Sequence, residues 1–173
     1  VLLPLVLPPV VGGVALLTAF GRRGLLGQYL YDWFGIQLPF STAGVVMAEA
    51  FVALPFLVLT VEGALRGIDP RFEMAARTLG APPRTVFFRI TVPMISASLV
   101  AGIVLAWARA LGEFGATITF AGNFPGVTQT LPLAVYSALE VSRDEALALS
   151  LALLAVSLTV LISLRGRFLG SRS

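Results

Sequence analysis

Four apolar stretches recur along the chain, each close to the ~20 residues a helix needs to cross a hydrocarbon core. They predict membrane-spanning helices near 1–20, 43–61, 93–111 and 146–164, separated by more polar segments. The first carries Pro4, Pro8, Pro9, Gly12 and Gly13, and the second is interrupted by Glu49 and Pro55. The third has Arg109 near its end, whereas the fourth has no charge at all. Between the first two, Tyr29, Tyr31, Trp33 and Phe34 crowd into a short amphipathic pattern, as expected of aromatic side chains at a membrane–water boundary. The pattern predicts an all-α, polytopic transmembrane helix bundle forming one domain over residues 1–173. The chain opens on Val1 with an apolar run already under way and no basic segment before it. That run reads as a span of a chain that lacks its true start, not as a signal peptide, and at least one further span is expected upstream.

The polar segments predict an orientation, because arginine is retained on the cytoplasmic side. Arg66, Arg71, Arg77, Arg84, Arg89, Arg165, Arg167 and Arg172 fall on one side of the four spans, and Arg22, Arg23 and Arg143 on the other. The segment between the second and third spans and the C-terminal tail are therefore expected to be cytoplasmic.

That second segment is DPRFEMAARTLGAPPRTVFFRITVP, Asp69 to Pro93. Asp69 suits an N-cap and Pro70 the first helical position. Glu73 and Arg77 are spaced i,i+4 in the favourable order, and Gly80 is placed to end the helix in a left-handed conformation. A helix of about ten residues follows, roughly 15 Å long, with Ala75 and Ala76 offering a close approach to another backbone. Pro82 and Pro83 break the chain, and a second short helix with Val86, Phe87 and Ile90 is expected to return it to the membrane at Pro93.

Composition narrows the function classes. Charged residues make up 12% of the chain and mean hydropathy is +0.93, against about 25% charge in soluble domains. The chain has no Cys, no His and no Lys. Disulfides, thiolate nucleophiles, Cys/His metal sites, a P-loop lysine and a Ser-His-Asp triad are thereby excluded. The net charge of +3 resides on arginines scattered between apolar spans, which argues against nucleic acid as a partner.

The spacing Ala75-Ala76, three residues, Gly80, nine residues, Ile90-x-Val92-Pro93 resembles the signature loop of ATP-driven importer permeases, Glu-Ala-Ala, three residues, Gly, nine residues, Ile-x-Leu-Pro. Met74 replaces the motif Glu and Val92 the Leu, with Glu73 one position early. The resemblance implies that this short helix couples to an ATP-hydrolysing subunit through Glu73, Met74, Ala75, Ala76, Leu79 and Gly80. Farther along, Arg109 to Ala116 (RALGEFGA) is shared with sulfate permeases. The stretches TITFAGN and TQTLP that follow it, together with LPLVLPPVVGG, GRRGLLG and YDWFGI, are similar to molybdate permeases. This implies a multi-pass subunit of the cytoplasmic membrane that translocates molybdate or tungstate. Its partners would be a second permease copy, the ATPase subunit and an extracytoplasmic oxyanion-binding protein. The chain itself would hold no cofactor and do no covalent chemistry, since ATP and Mg are bound by the ATPase.

Arg109 lies 16 residues beyond Pro93, about 24 Å along a helix. An arginine at depth faces protein or a water-filled cavity, and Glu113 is one turn away to pair with it. Arg109, Glu113, Thr117 and Thr119 are the candidates for a translocation path or gate. For Arg109 two readings stand side by side, a structural ion pair and a group that tunes an oxyanion path. Glu49 is expected to be an interhelical hydrogen-bonded carboxylate, with proton coupling as the other reading. A sulfate permease, an ion-coupled carrier or channel, and a passive membrane anchor are the alternatives for the whole chain.

Overall fold

The computed structural model describes residues 2–169, with side chains described through residue 162. Arg172 lies outside the described residues, as do the side chains of Arg165 and Arg167. The described residues hold ten α-helices and one π turn, and no strand.

The stretch expected as the first span is divided. Helix α1 covers Leu3–Val6 and α2 covers Pro9–Phe20. Leu7 and Pro8 between them are extended (ψ 135° and 136°), because the residue before a proline is driven out of the helical region. At 12 residues, α2 is about 18 Å long, too short to cross a bilayer alone. Helix α3, Gly27–Phe34, occupies the aromatic-rich connection.

The second expected span is longer than its apolar pattern. Helix α4 runs Thr42–Arg66, straight through buried Pro55. The Ser41 hydroxyl starts it by accepting the Gly44 N–H at 3.1 Å. Helix α5 covers Pro70–Thr78 and α6 covers Pro83–Val86. A π turn, Phe87–Thr91, then passes without a break into α7, Val92–Leu111. The expected break falls at Ala81 and Pro82, and the short helix after it does not end at Pro93 but runs on as one helical segment from Pro83 to Leu111. The Val92 N–H reaches back to the Phe87 carbonyl, and this wider turn takes up the crowding that the Pro93 ring imposes on the preceding turn.

The connection read as an outer loop, Gly112 to Glu145, contains two helices, α8 at Gly115–Phe120 and α9 at Leu131–Val141. Helix α10 begins at Arg143 and is described to Leu169. By length and composition, three helical segments can cross a membrane: Thr42–Arg66, Pro83–Leu111 and Arg143–Ile162.

Two contacts set the architecture. Helices α4 and α7 pack as an antiparallel pair, with Gly102 seated against Leu57 and Thr60. Helix α8 folds back into the bundle against α2 and α4. There, Leu16, Ala48, Val52, Ala116 and Phe120 form the buried core, covered by Leu17, Phe20, Leu38, Met47 and Phe51. At the α2–α8 contact the backbones nearly touch. A Cβ on Gly13 would sit 2.7 Å from the Thr119 Cβ and 2.8 Å from the Ala116 oxygen. With no hydrophobic drive between helices in lipid, such small-residue contacts supply the packing. Helix α9 lies along α10, and the Thr42 hydroxyl donates to the Val127 carbonyl at 3.1 Å, tying the 121–130 connection to the start of α4.

Candidate functional site

Helix α5 is built by local rules at both ends. The Asp69 carboxylate accepts the Arg71 N–H at 2.9 Å, and Pro70 occupies the first helical position. At the other end, the Ala81 N–H bonds the Ala76 carbonyl at 3.1 Å and the Gly80 N–H bonds the Arg77 carbonyl at 3.0 Å. Gly80 has φ +84°. This pair of bonds is the Schellman arrangement, and the left-handed residue it needs costs glycine nothing.

Between those ends, Glu73 turns inward. One carboxylate oxygen accepts the Thr91 hydroxyl at 2.6 Å, and the other lies 3.4 Å from the Arg77 guanidinium. Thr91 is buried at the base of α7. Glu73 thus fastens α5 to the membrane helix, and its charge is not on the outward face of α5. That face carries Phe72, Met74, Ala75 and Leu79, all exposed, while Ala76 is half-buried. Leu79 is 88% exposed, an unusual setting for a large apolar side chain at the tip of a helix. Pair spacing along α5 gave no hint of Thr91, which sits 18 residues from Glu73 at the unspecified position of the Ile-x-Val-Pro run.

The second cluster lies where α7 gives way to α8. Arg109 Nη1 and Glu113 Oε2 are 2.7 Å apart, and Glu113 is only 1% exposed. The other Glu113 oxygen accepts the Ala116 N–H at 2.9 Å. The carboxylate therefore neutralises Arg109 and also satisfies a donor in the first turn of α8, whose own N-cap residue, Phe114, has no side-chain acceptor. The sequence pointed to the ion pair; the capping role could be found only from the helix break.

Thr117 is fully buried and its hydroxyl has no partner among the described residues. The Thr119 hydroxyl donates to the Gly115 carbonyl at 2.7 Å, and the Thr119 Cβ faces Gly13. Asn123 donates to Ser137 at 2.8 Å, and its carbonyl oxygen, like the Thr130 hydroxyl, is buried without a partner among the described residues. Arg109, Glu113, Thr117 and Thr119 thus lie along the junction of α7 and α8, while the coupling residues lie at the far end of α7. Glu49 lies within electrostatic reach of Glu113, but the interhelical hydrogen bond expected of it is not formed among the described residues. Among the described residues no group of three or more acidic, His or Cys side chains assembles to hold a metal ion.

The sequence has counterparts among known proteins. Residues 1–172 match the family model of the binding-protein-dependent transport system inner membrane component. A molybdenum transport system permease protein of Mycobacterium tuberculosis is 54% identical over 96% of this chain and 63% of its own length. Its counterpart in Escherichia coli K12 is 49% identical over 92% of this chain and 69% of its own length. A sulfate transport system permease protein of Salmonella typhimurium is 38% identical over 94% of this chain and 58% of its own length. The chain thus spans less than two thirds of the mycobacterial relative. With the match covering nearly every residue, and with apolar helices long enough to span a bilayer, the chain belongs to the binding-protein-dependent transport system inner membrane components and is a multi-pass membrane protein.

Proposed function

We propose that this chain is the permease subunit of an ATP-driven importer that carries molybdate, or the similar oxyanion tungstate, across the cytoplasmic membrane. The observation that carries the class is α5, a short helix held between two spans by Glu73 and Thr91, with Phe72, Met74 and Leu79 exposed on it. A carrier or channel acting alone has no use for such a surface, whereas a subunit worked by a separate ATPase needs one. The choice of oxyanion rests on the molybdenum relatives at 54% and 49% identity, set against 38% for the sulfate relative.

In this reading two permease copies pair, an extracytoplasmic binding protein delivers the anion, and two ATPase subunits grip the α5 helices. Closure of the ATPases on ATP moves α5, and with it α7 through the Glu73–Thr91 bond. The α7–α8 break, with Arg109 and Glu113, lies at the other end of the same helix, so movement at one end changes the surroundings of the other. Arg109, Glu113, Thr117 and Thr119 border the path, and no covalent step takes place on this chain.

The test is uptake into vesicles containing the full permease, its ATPase and its binding protein. Molybdate should enter only with ATP, stimulate hydrolysis, and be little affected by excess sulfate. Uptake driven by an ion gradient without ATP would replace the reading with a self-sufficient carrier. Equal competition by sulfate would overturn the substrate assignment alone.

A further inference from the structure

The connection between α2 and α4 has no part in the reading above. The Leu25 and Leu26 N–H groups bond the Thr18 and Ala19 carbonyls at 3.2 and 2.8 Å, which seats α3 on the C-terminal end of α2. Helix α4 starts eight residues after Phe34, so α3 sits where two apolar helices end, at the opposite end of α4 from α5. Its sequence divides cleanly at the helical period. Leu26, Tyr29, Leu30, Trp33 and Phe34 fall on one arc, and Gln28, Tyr31 and Asp32 on the other. Trp33 is 74% and Phe34 67% exposed. Val14 and Val46, within two turns of the α2 end that holds α3 and of the α4 start that follows it, are exposed as well.

Arg22 and Arg23, just before α3, join Gln28, Tyr31 and Asp32 of its polar arc in lining an open recess of about 390 Å³. The Arg22 guanidinium lies 4.2 Å from the centre of the Tyr31 ring and donates to its hydroxyl at 2.7 Å, which fixes its orientation. Neither arginine has a carboxylate partner among the described residues.

We propose that α3 lies in the lipid–water boundary, with Tyr29, Trp33 and Phe34 at the acyl chains, and that Arg22 and Arg23 bind the phosphate of a phospholipid headgroup. A short helix with one aromatic arc and one polar arc is the form that lies in this boundary, and a guanidinium matches a phosphate with paired donors. Placement of the exposed aromatic arc a few residues before Thr42–Arg66, a helix long and apolar enough to cross a membrane, favours a bilayer over a soluble protein as its cover.

The chain has no cysteine, so spin labels can be placed singly at Trp33→Cys and Gln28→Cys of the full permease. The vesicles would contain phosphatidylcholine and phosphatidylglycerol. Power saturation should show the label at 33 favouring oxygen and the label at 28 favouring a water-soluble nickel chelate. Equal access of the chelate to both overturns the placement, as does shielding of position 33 only when the binding protein is added. For the headgroup, native mass spectrometry of the purified complex should show several-fold less retained phosphatidylglycerol in Arg22→Gln/Arg23→Gln. A smaller loss is expected in Arg23→Gln, which breaks no bond among the described residues. Unchanged retention, or displacement of the lipid by free phosphate or molybdate, overturns the lipid-phosphate assignment.

Discussion

At the residue scale, Glu113 joins two demands that are usually separate. It is nearly fully buried, pairs with Arg109, and caps the first turn of α8. Removing one member of a buried pair leaves a lone charge and costs about 3–5 kcal/mol, whereas replacing both can be near neutral. Glu113→Ala should therefore lose both the pair and the cap and sharply reduce the yield of assembled complex. Arg109→Met with Glu113→Gln removes both charges but keeps an oxygen for the Ala116 N–H. The double variant should recover assembly, measured by size-exclusion yield and thermal melting. Uptake normalised to assembled complex then separates the roles, and only partial recovery is expected if Arg109 borders the oxyanion path. Full recovery would leave Arg109 a structural residue.

At the scale of elements, the two ends of the α7 segment hold different kinds of information. The α5 terminus depends on Gly80 at φ +84°, which a β-branched residue adopts only with strain. Under the proposed function, Gly80→Val should damage molybdate uptake and ATPase stimulation together while leaving anion binding by the separate binding protein intact. Normal coupling in that variant would show that the α5 tip does not transmit motion. The α2–α8 contact depends on bulk instead. An added methyl at Gly13 meets Thr119 and a backbone oxygen, both under 3.0 Å away, while one at Gly112 meets nothing within 4 Å. Gly13→Ala should therefore lose about 1–3 kcal/mol by overpacking, seen as a lower melting temperature of the complex, with Gly112→Ala close to unchanged. Equal melting of the two would mean that α2 and α8 can separate without cost.

For the whole molecule, arginine placement and helix order make a joint prediction. Helices α4 and α7 run antiparallel, so α5 lies at one end of the bundle and α3 with the 121–130 connection at the other. In intact cells, Cys at Thr78 should resist an impermeant thiol reagent, and Cys at Gln28 should react. Labelling at position 78 from outside would invert the orientation and overturn the proposed contact of α5 with a cytoplasmic ATPase.

The sequence by itself determined the helical class, the long spans, both termini of α5 and the Arg109–Glu113 pair. All of these are encoded within a turn or two, by apolar length, by capping residues and by i,i+4 spacing. Tertiary structure decided the rest. Pro8 splits the first apolar stretch, whereas Pro55 and Pro93 are carried within long helical segments, and local sequence does not distinguish these cases. The Gly112 to Glu145 connection reads as an outer loop because its helices are short. It became part of the core because Ala116 and Phe120 found Leu16, Ala48 and Val52, residues 64 or more positions away in sequence. Glu73 likewise faces inward because α7 brings Thr91 beneath it. Contacts between distant residues depend on how helices stack, and helical periodicity carries no record of the partner.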